Sequence, residues 1–233
     1  MEVNLRADVD RFYSLVGEMR ARCGGERTLS TCDAGSGWPE RGVYFFFEPG
    51  ELRSDGGSAR VVHVGTHALR PSSATLWNRL SNHRGHISGE FAGGGSHRGS
   101  IFREHVGAAM LSAQPWPDEI RQTWGVGSSA SRSGRVAEHA LEREVTNYIG
   151  AMPLLWVPVN DEPSPTSDRA VIKQGAVALL SRHEGGVGDR PSNKWLGWKS
   201  DRPEIVRSGL WNVEHVGEDY HPSFLDVLER WVS

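Results

Sequence analysis

Residues 41–65, RGVYFFFEPGELRSDGGSARVVHVG, decide the fold. β-Branched and aromatic residues fill GVYFFFE, which predicts a strand closed by a turn at Pro49-Gly50. RVVHVG predicts a second strand, so the two read as a hairpin with a polar, glycine-containing connection. Side chains alternate across a strand, so Tyr44 points away from the face shared by Val43, Phe45 and Phe47.

Downstream of the hairpin, Ser72 or Ser73 is placed to cap a short helix through ATLWNRLSNH. Leu76 and Leu80 face inward there, and Arg79 and His83, four apart, share a neighbouring face. GEFAGGGSHRGSIFREHVGAAML joins a glycine-rich loop to a helix over about 100–110. Residues 112–134, rich in Pro, Gly and Ser, read as a mobile excursion. Ala137, Leu141, Val145, Tyr148 and Ile149 mark a further helix, and PLLWVPV reads as a buried strand. A proline-rich turn leads to a helix over 168–180, and an irregular stretch follows until FLDVLERWV. Upstream, Leu5, Val9, Phe12, Val16 and Met19 form the apolar stripe of a helix ending near Gly24-Gly25. The expected class is α/β or α+β: a small mixed sheet of three strands flanked by helices. Residues 1–37 supply an N-terminal helix and linker, 38–200 the main domain, and 201–233 a C-terminal extension packed on it.

The chain has 233 residues, 37% of them hydrophobic, enough to fill one core, which excludes disorder or a fibre as a whole-chain reading. No stretch approaches the ~20 apolar residues that cross a bilayer, and MEVNLRADVD lacks a basic-then-apolar leader pattern. A soluble, cytoplasmic, non-membrane protein is expected. Two cysteines, Cys23 and Cys32, fit a helix end and a loop in a reducing compartment and support no disulfide framework. The net charge of −3 hides a local bias. Residues 41–105 hold eight arginines against five acids, together with six of the ten histidines. Arginine grips phosphate by a planar fork, so a polyanion-facing patch and an ordinary solvated surface are both open there.

Gly42-Val43-Tyr44, His63-Val64-Gly65, and a helix carrying Arg79 and His83 together resemble the GIY-YIG nuclease family. The order and spacing carry the resemblance, since three-letter motifs recur by chance. In element order it covers about residues 38–200. The segments GGG-x-HRGSIFR and SGLWN are also similar to those of an uncharacterised bacterial subgroup. The resemblance implies a DNA endonuclease that hydrolyses phosphodiesters with Mg²⁺ or Mn²⁺. Tyr44 matches the proposed general base and Arg79 the phosphate-binding arginine. His63 stands at the family's second tyrosine, and His83 is of a type found at its position in some restriction-enzyme relatives.

A phenol is a poor base near neutral pH unless cations stabilise its phenolate, a service Arg79 is placed to give. His63 is read either as a base or hydrogen-bond donor to phosphate or as a packed strand histidine. His97 and Arg98, beside the glycine loop, are read as substrate contacts or as parts of a flexible loop. The departure from the family is at its metal-binding glutamate, where Lys173 stands. A protonated lysine does not ligate Mg²⁺. Three readings stay open: a carboxylate from Asp168, Glu142 or Glu144; the Lys173 ammonium replacing the metal's charge at the phosphate; or a degenerate fold that binds nucleic acid or a protein partner without cleaving. Asn193 and Asn212 are both matches for the family's late asparagine. A zinc site from His63, His67, His83 and His86 is the minor alternative. A homodimer or protein partner is also open.

Overall fold

The structure is a computed structural model that describes residues 4–181 and 189–233. The hairpin forms between β2 (Gly42–Leu52) and β3 (Ala59–Gly65). The strand does not close at Pro49-Gly50. Gly50 takes φ +87° and the chain runs on to Leu52. The reversal lies at 53–58, where Arg53 N–H donates to the Ser58 carbonyl at 2.8 Å. A positive φ at glycine lets the strand kink and continue, so Pro-Gly marks an irregularity rather than the turn.

β4 (Pro153–Pro158) pairs with the other side of β2, and a two-residue β1 (Arg27–Thr28) pairs with β4. The described sheet thus has four strands in the order β1-β4-β2-β3, against the three expected. All its pairings are antiparallel rather than mixed. A two-residue strand carries no periodicity, which is why β1 leaves no trace in the sequence.

Helices cover both faces. Val43, Phe45 and Phe47 face α1 (Leu5–Arg22), α6 (Asp168–Leu180) and α8 (Phe224–Val232), as the alternation requires. Tyr44, Phe46 and Trp156 face α2 (Leu76–Arg84), α3 (Ile101–Ala113) and α5 (Arg132–Gly150). Burying each such aromatic or branched side chain favours folding by roughly 1.5–3 kcal/mol. α1 and α8 touch each other and both touch α6, so the two ends of the chain share the core of the middle section.

The cap of α2 is Thr75, not Ser72 or Ser73. Its hydroxyl accepts from Asn78 N–H, and the Asn78 side chain accepts from Thr75 N–H, a reciprocal capping box. The 112–134 stretch is structured rather than an excursion. α4 (Asp118–Thr123) buries Ile120, and Trp124 stacks on His97 at 4.0 Å. Gly107 makes room for that indole, since a Cβ there would sit 2.0 Å from Trp124. The supposedly irregular C-terminal stretch contains a short 3₁₀ turn at Leu196–Lys199 and α7 (Pro203–Ser208). Among the described residues, no helix is long and apolar enough to cross a membrane.

Candidate active site

Two local features aim β3 at a cleft. Phe46 pairs with His63 but Phe47 pairs with Val61, so Val62 is an extra, bulged residue. A bulge re-aims the side chains that follow it, and here it places His63 on the Tyr44 side, stacked on Phe102 at 4.2 Å. Directly across from Tyr44 stands Gly65. A Cβ at Gly65 would lie 2.2 Å from the tyrosine ring, so the bare glycine is what lets the phenol lie across β3.

The outer edge of β3 is covered by the segment before α8. Trp211 N–H donates to the Val62 carbonyl at 2.7 Å. Asn212 accepts from Val64 N–H at 2.9 Å and donates to the Val64 carbonyl at 2.8 Å, so its amide imitates a neighbouring strand. Those bonds hold Asn212, Val213 and Glu214 along one wall of a cleft of about 420 Å³.

Tyr44 Oη lies 2.8 Å from His83 Nε2, and Arg79 Nε donates to the same oxygen at 3.4 Å. His83 Nδ1 lies 2.7 Å from Ser100 Oγ, which caps α3 by accepting from Arg103 N–H at 3.2 Å. In the tautomer that carries its proton on Nδ1, Tyr44 donates to Nε2, Nδ1–H donates to Ser100, and Ser100 takes two donors on its two lone pairs. Beneath them Arg103 donates to the His83 carbonyl at 2.9 Å and binds the Glu142 carboxylate. Burial works against the Glu142 charge, but donors from His97 and Arg103 outweigh it and hold its pKa down at about 2. This buried ion pair is a rigid platform for α2, α3 and α5, the kind whose disruption strands a charge.

Burial, partly offset by the charge and hydrogen bond of Arg79, raises the Tyr44 pKa, so the resting group is a neutral phenol. Burial, then the Arg79 charge, pushes the His83 and His63 imidazoles well below their usual range. His105, on the cleft wall, falls to about 4 through burial and Arg202. Both ring nitrogens of His63 and Nε2 of His105 are buried without a partner. Both histidines belong to residues that line the cleft.

The cleft thus brings together Tyr44, His63, Arg79, Lys173 and Asn212 of the sequence-derived candidates, with His83 bonded to Tyr44 behind them. It does not bring in His97 or Arg98. His97 is buried on Glu142, and Arg98 is bound to Glu138 through two contacts of 2.7 and 2.9 Å. Asn193 lies in a separate depression. Of the candidate carboxylates, Asp168 accepts from Trp231 at 2.8 Å, Glu142 is in the buried platform, and Glu144 is exposed on α5. None of the three lines the cleft. The four zinc histidines do not assemble: among the described residues no group of three His, Cys, Asp or Glu side chains is placed to hold a metal ion, and His67 bonds the Glu40 carbonyl.

Sequence reasoning missed the cleft's actual acids. Glu214 binds Lys173 at 2.6 Å, and Glu104 lies 3.8 Å from Arg202. The hydrogen bond and charge of Lys173 lower the Glu214 pKa. The cationic side chains lining the cleft, Arg79, Lys173 and Arg202, outnumber its two carboxylates, and each carboxylate has a cation beside it. Mg²⁺ asks for near-octahedral oxygen ligation. This donor set does not fit it.

A phenol, imidazole and guanidinium meeting at a bulged hairpin are equipment for moving a proton beside an anion. A family model described as a GIY-YIG domain matches residues 3–233, and the chain belongs to the GIY-YIG family. That family is generally one of endonucleases, typically dependent on a divalent metal. No curated protein and no solved structure matches the chain.

Proposed function

We propose that the cleft hydrolyses phosphodiester bonds of DNA, making the protein an endonuclease. One observation carries the reading: Tyr44 Oη within 2.8 Å of His83 Nε2 and 3.4 Å of Arg79 Nε, at the wall of an open cleft. Arg79 binds a non-bridging phosphate oxygen. The attacking water passes its proton to Tyr44 as the phenol passes its own to His83 Nε2. Neutral His83 is the form that accepts, and the charge of Arg79 is one reason it rests neutral. A bound phosphate offsets that charge and makes His83 more basic when substrate is present. His63, which lines the cleft, offers its single ring N–H to the phosphate. The expectation of Mg²⁺ rests on the family alone, and no step here is routed through it.

A second reading, a GIY-YIG fold kept for binding nucleic acid without cutting, is favoured by the Lys173–Glu214 pair in place of a metal-ligating carboxylate. Cleavage of supercoiled plasmid and labelled single strands, comparing wild type with Arg79→Ala, separates the two. Cutting lost in Arg79→Ala together with weakened binding supports the nuclease. Salt-sensitive binding without cutting under any condition supports the second reading.

A further inference from the structure

We propose that Lys173 and Glu214 form a built-in replacement for the metal ion, so that phosphodiester hydrolysis here needs no divalent cation. The inference rests on the hydrolase reading above and goes beyond it in naming the group at the leaving oxygen.

Lys173 projects from α6, whose neighbouring Ile172 and Ala176 are fully buried, so the backbone that carries it is anchored in the core. The Lys173 side chain is 17% exposed, and its Nζ lies 2.6 Å from Glu214 in the cleft that also holds Tyr44 and Arg79. Glu214 is held from the other side. The chain two residues earlier is pinned to β3 by the Asn212 amide, and the residue after it, His215, adopts φ +64°. A non-glycine residue in the left-handed region is costly and is retained where surrounding contacts over-determine it. The backbone on both sides of Glu214 is therefore specified, while its carboxylate, 73% exposed, remains free to swing away.

This pair both presents and protects an ammonium. Without substrate, Glu214 holds Lys173 in place. When a diester enters, the phosphate takes over the ammonium and Glu214 releases it to solvent. A divalent cation would have to break this pair beside the Arg79 guanidinium, in a lining where positive side chains already exceed negative ones.

The step balances without a metal. The water oxygen forms a bond to phosphorus, and the bond from phosphorus to the leaving oxygen breaks with its electron pair on that oxygen. A proton from Lys173 Nζ moves to the leaving oxygen, giving an alcohol and a neutral amine. The proton of the water moves through Tyr44 to His83 Nε2. Solvent then carries a proton from His83 back to Lys173, and the products are a phosphomonoester and an alcohol.

The test measures cleavage of labelled DNA in EDTA, Mg²⁺ and Mn²⁺ by wild type, Lys173→Met, Lys173→Glu and Glu214→Gln, each with Mn²⁺ binding followed by electron paramagnetic resonance. Wild type is expected to cut at similar rates in EDTA and Mg²⁺ and to bind no stoichiometric Mn²⁺. Lys173→Met, which keeps the stem, should lose about 10²- to 10³-fold in rate, the usual loss when one transition-state donor is removed. It should also flatten the salt dependence of DNA binding by about one phosphate contact. Glu214→Gln, which removes the charge competing for the ammonium, should bind DNA more tightly, and Lys173→Glu should acquire a Mn²⁺ signal. Cutting that requires Mg²⁺, or that survives Lys173→Met, would overturn the inference and leave the hydrolase reading standing. No cutting by wild type in EDTA or either metal would overturn both.

Discussion

Replacing Gly65 with alanine tests whether the candidate site is built by the cross-strand fit of Tyr44. A Cβ there would sit 2.2 Å from Tyr44 Cζ and 2.3 Å from Tyr44 Oη. Carbon atoms settle at about 3.5–4 Å, so the ring must retreat by about 1 Å or more. It has little room to do so, because Tyr44 is fully buried and packs edge-on against Phe46 and His83. Overpacking of this kind costs about 1–3 kcal/mol. The same retreat breaks the 2.8 Å contact to His83, and a misplacement of about 1 Å costs a reaction on the order of 10²-fold. The sign should reverse when the ring is absent. Gly65 does not occupy the left-handed region, so in a Tyr44→Ala background the extra methyl no longer meets the phenol ring and stiffens the unfolded chain. Gly65→Ala should then stabilise by about 0.4–1 kcal/mol. Urea unfolding of wild type, both single variants and the double variant, with plasmid cleavage by wild type and Gly65→Ala, gives the complete cycle. Equal effects of Gly65→Ala in the two backgrounds would refute the packing argument, as would wild-type stability and cleavage in the single variant.

Ser100→Ala removes the cap of α3 and the partner of His83 Nδ1 together. It should destabilise by about 0.5–2 kcal/mol and slow cleavage, with Ser100→Thr restoring both; chemical denaturation and cleavage rates read the two effects. Stability should also fall in acid. Burial, then nearby arginine charge, lowers His67 and His105 to about 4, below the 6.5 of an unperturbed histidine. Between those values the unfolded chain binds more protons. Their contribution is therefore fully present above pH 6.5 and is lost as pH falls toward 4, by up to roughly 3 kcal/mol for each histidine. Urea midpoints at pH 7, 6 and 5 should decline, and a His105→Gln variant should decline less; identical slopes would remove His105 from the account.

Much of the fold was legible because it rests on local patterns. The alternation in GVYFFFE put Tyr44 on the face opposite Phe45, and the four-residue spacing of Arg79 and His83 brought both to the tyrosine. What stayed hidden depends on contacts distant in sequence. The bulge at Val62, which turns His63 into the cleft, is stabilised by a bond from Trp211 that no local pattern records. The partner of Lys173 is a carboxylate 41 positions away, brought near because Asn212 substitutes for a strand. His97 and Arg98 misled because a basic residue beside a glycine loop looks the same whether it meets phosphate or a buried glutamate. Here Glu142 and Glu138, on α5, take them both.

The central claim is that Tyr44 carries the proton from the attacking water. Its most direct test is the single-turnover rate of DNA cleavage by wild type and Tyr44→Phe under the same conditions, with folding verified for both. The phenylalanine ring fills the same space over Gly65 and removes only the hydroxyl, so binding should be unchanged while the rate falls by about 10²- to 10⁴-fold, the range for a lost acid–base group. Cleavage by Tyr44→Phe at the wild-type rate would contradict the account.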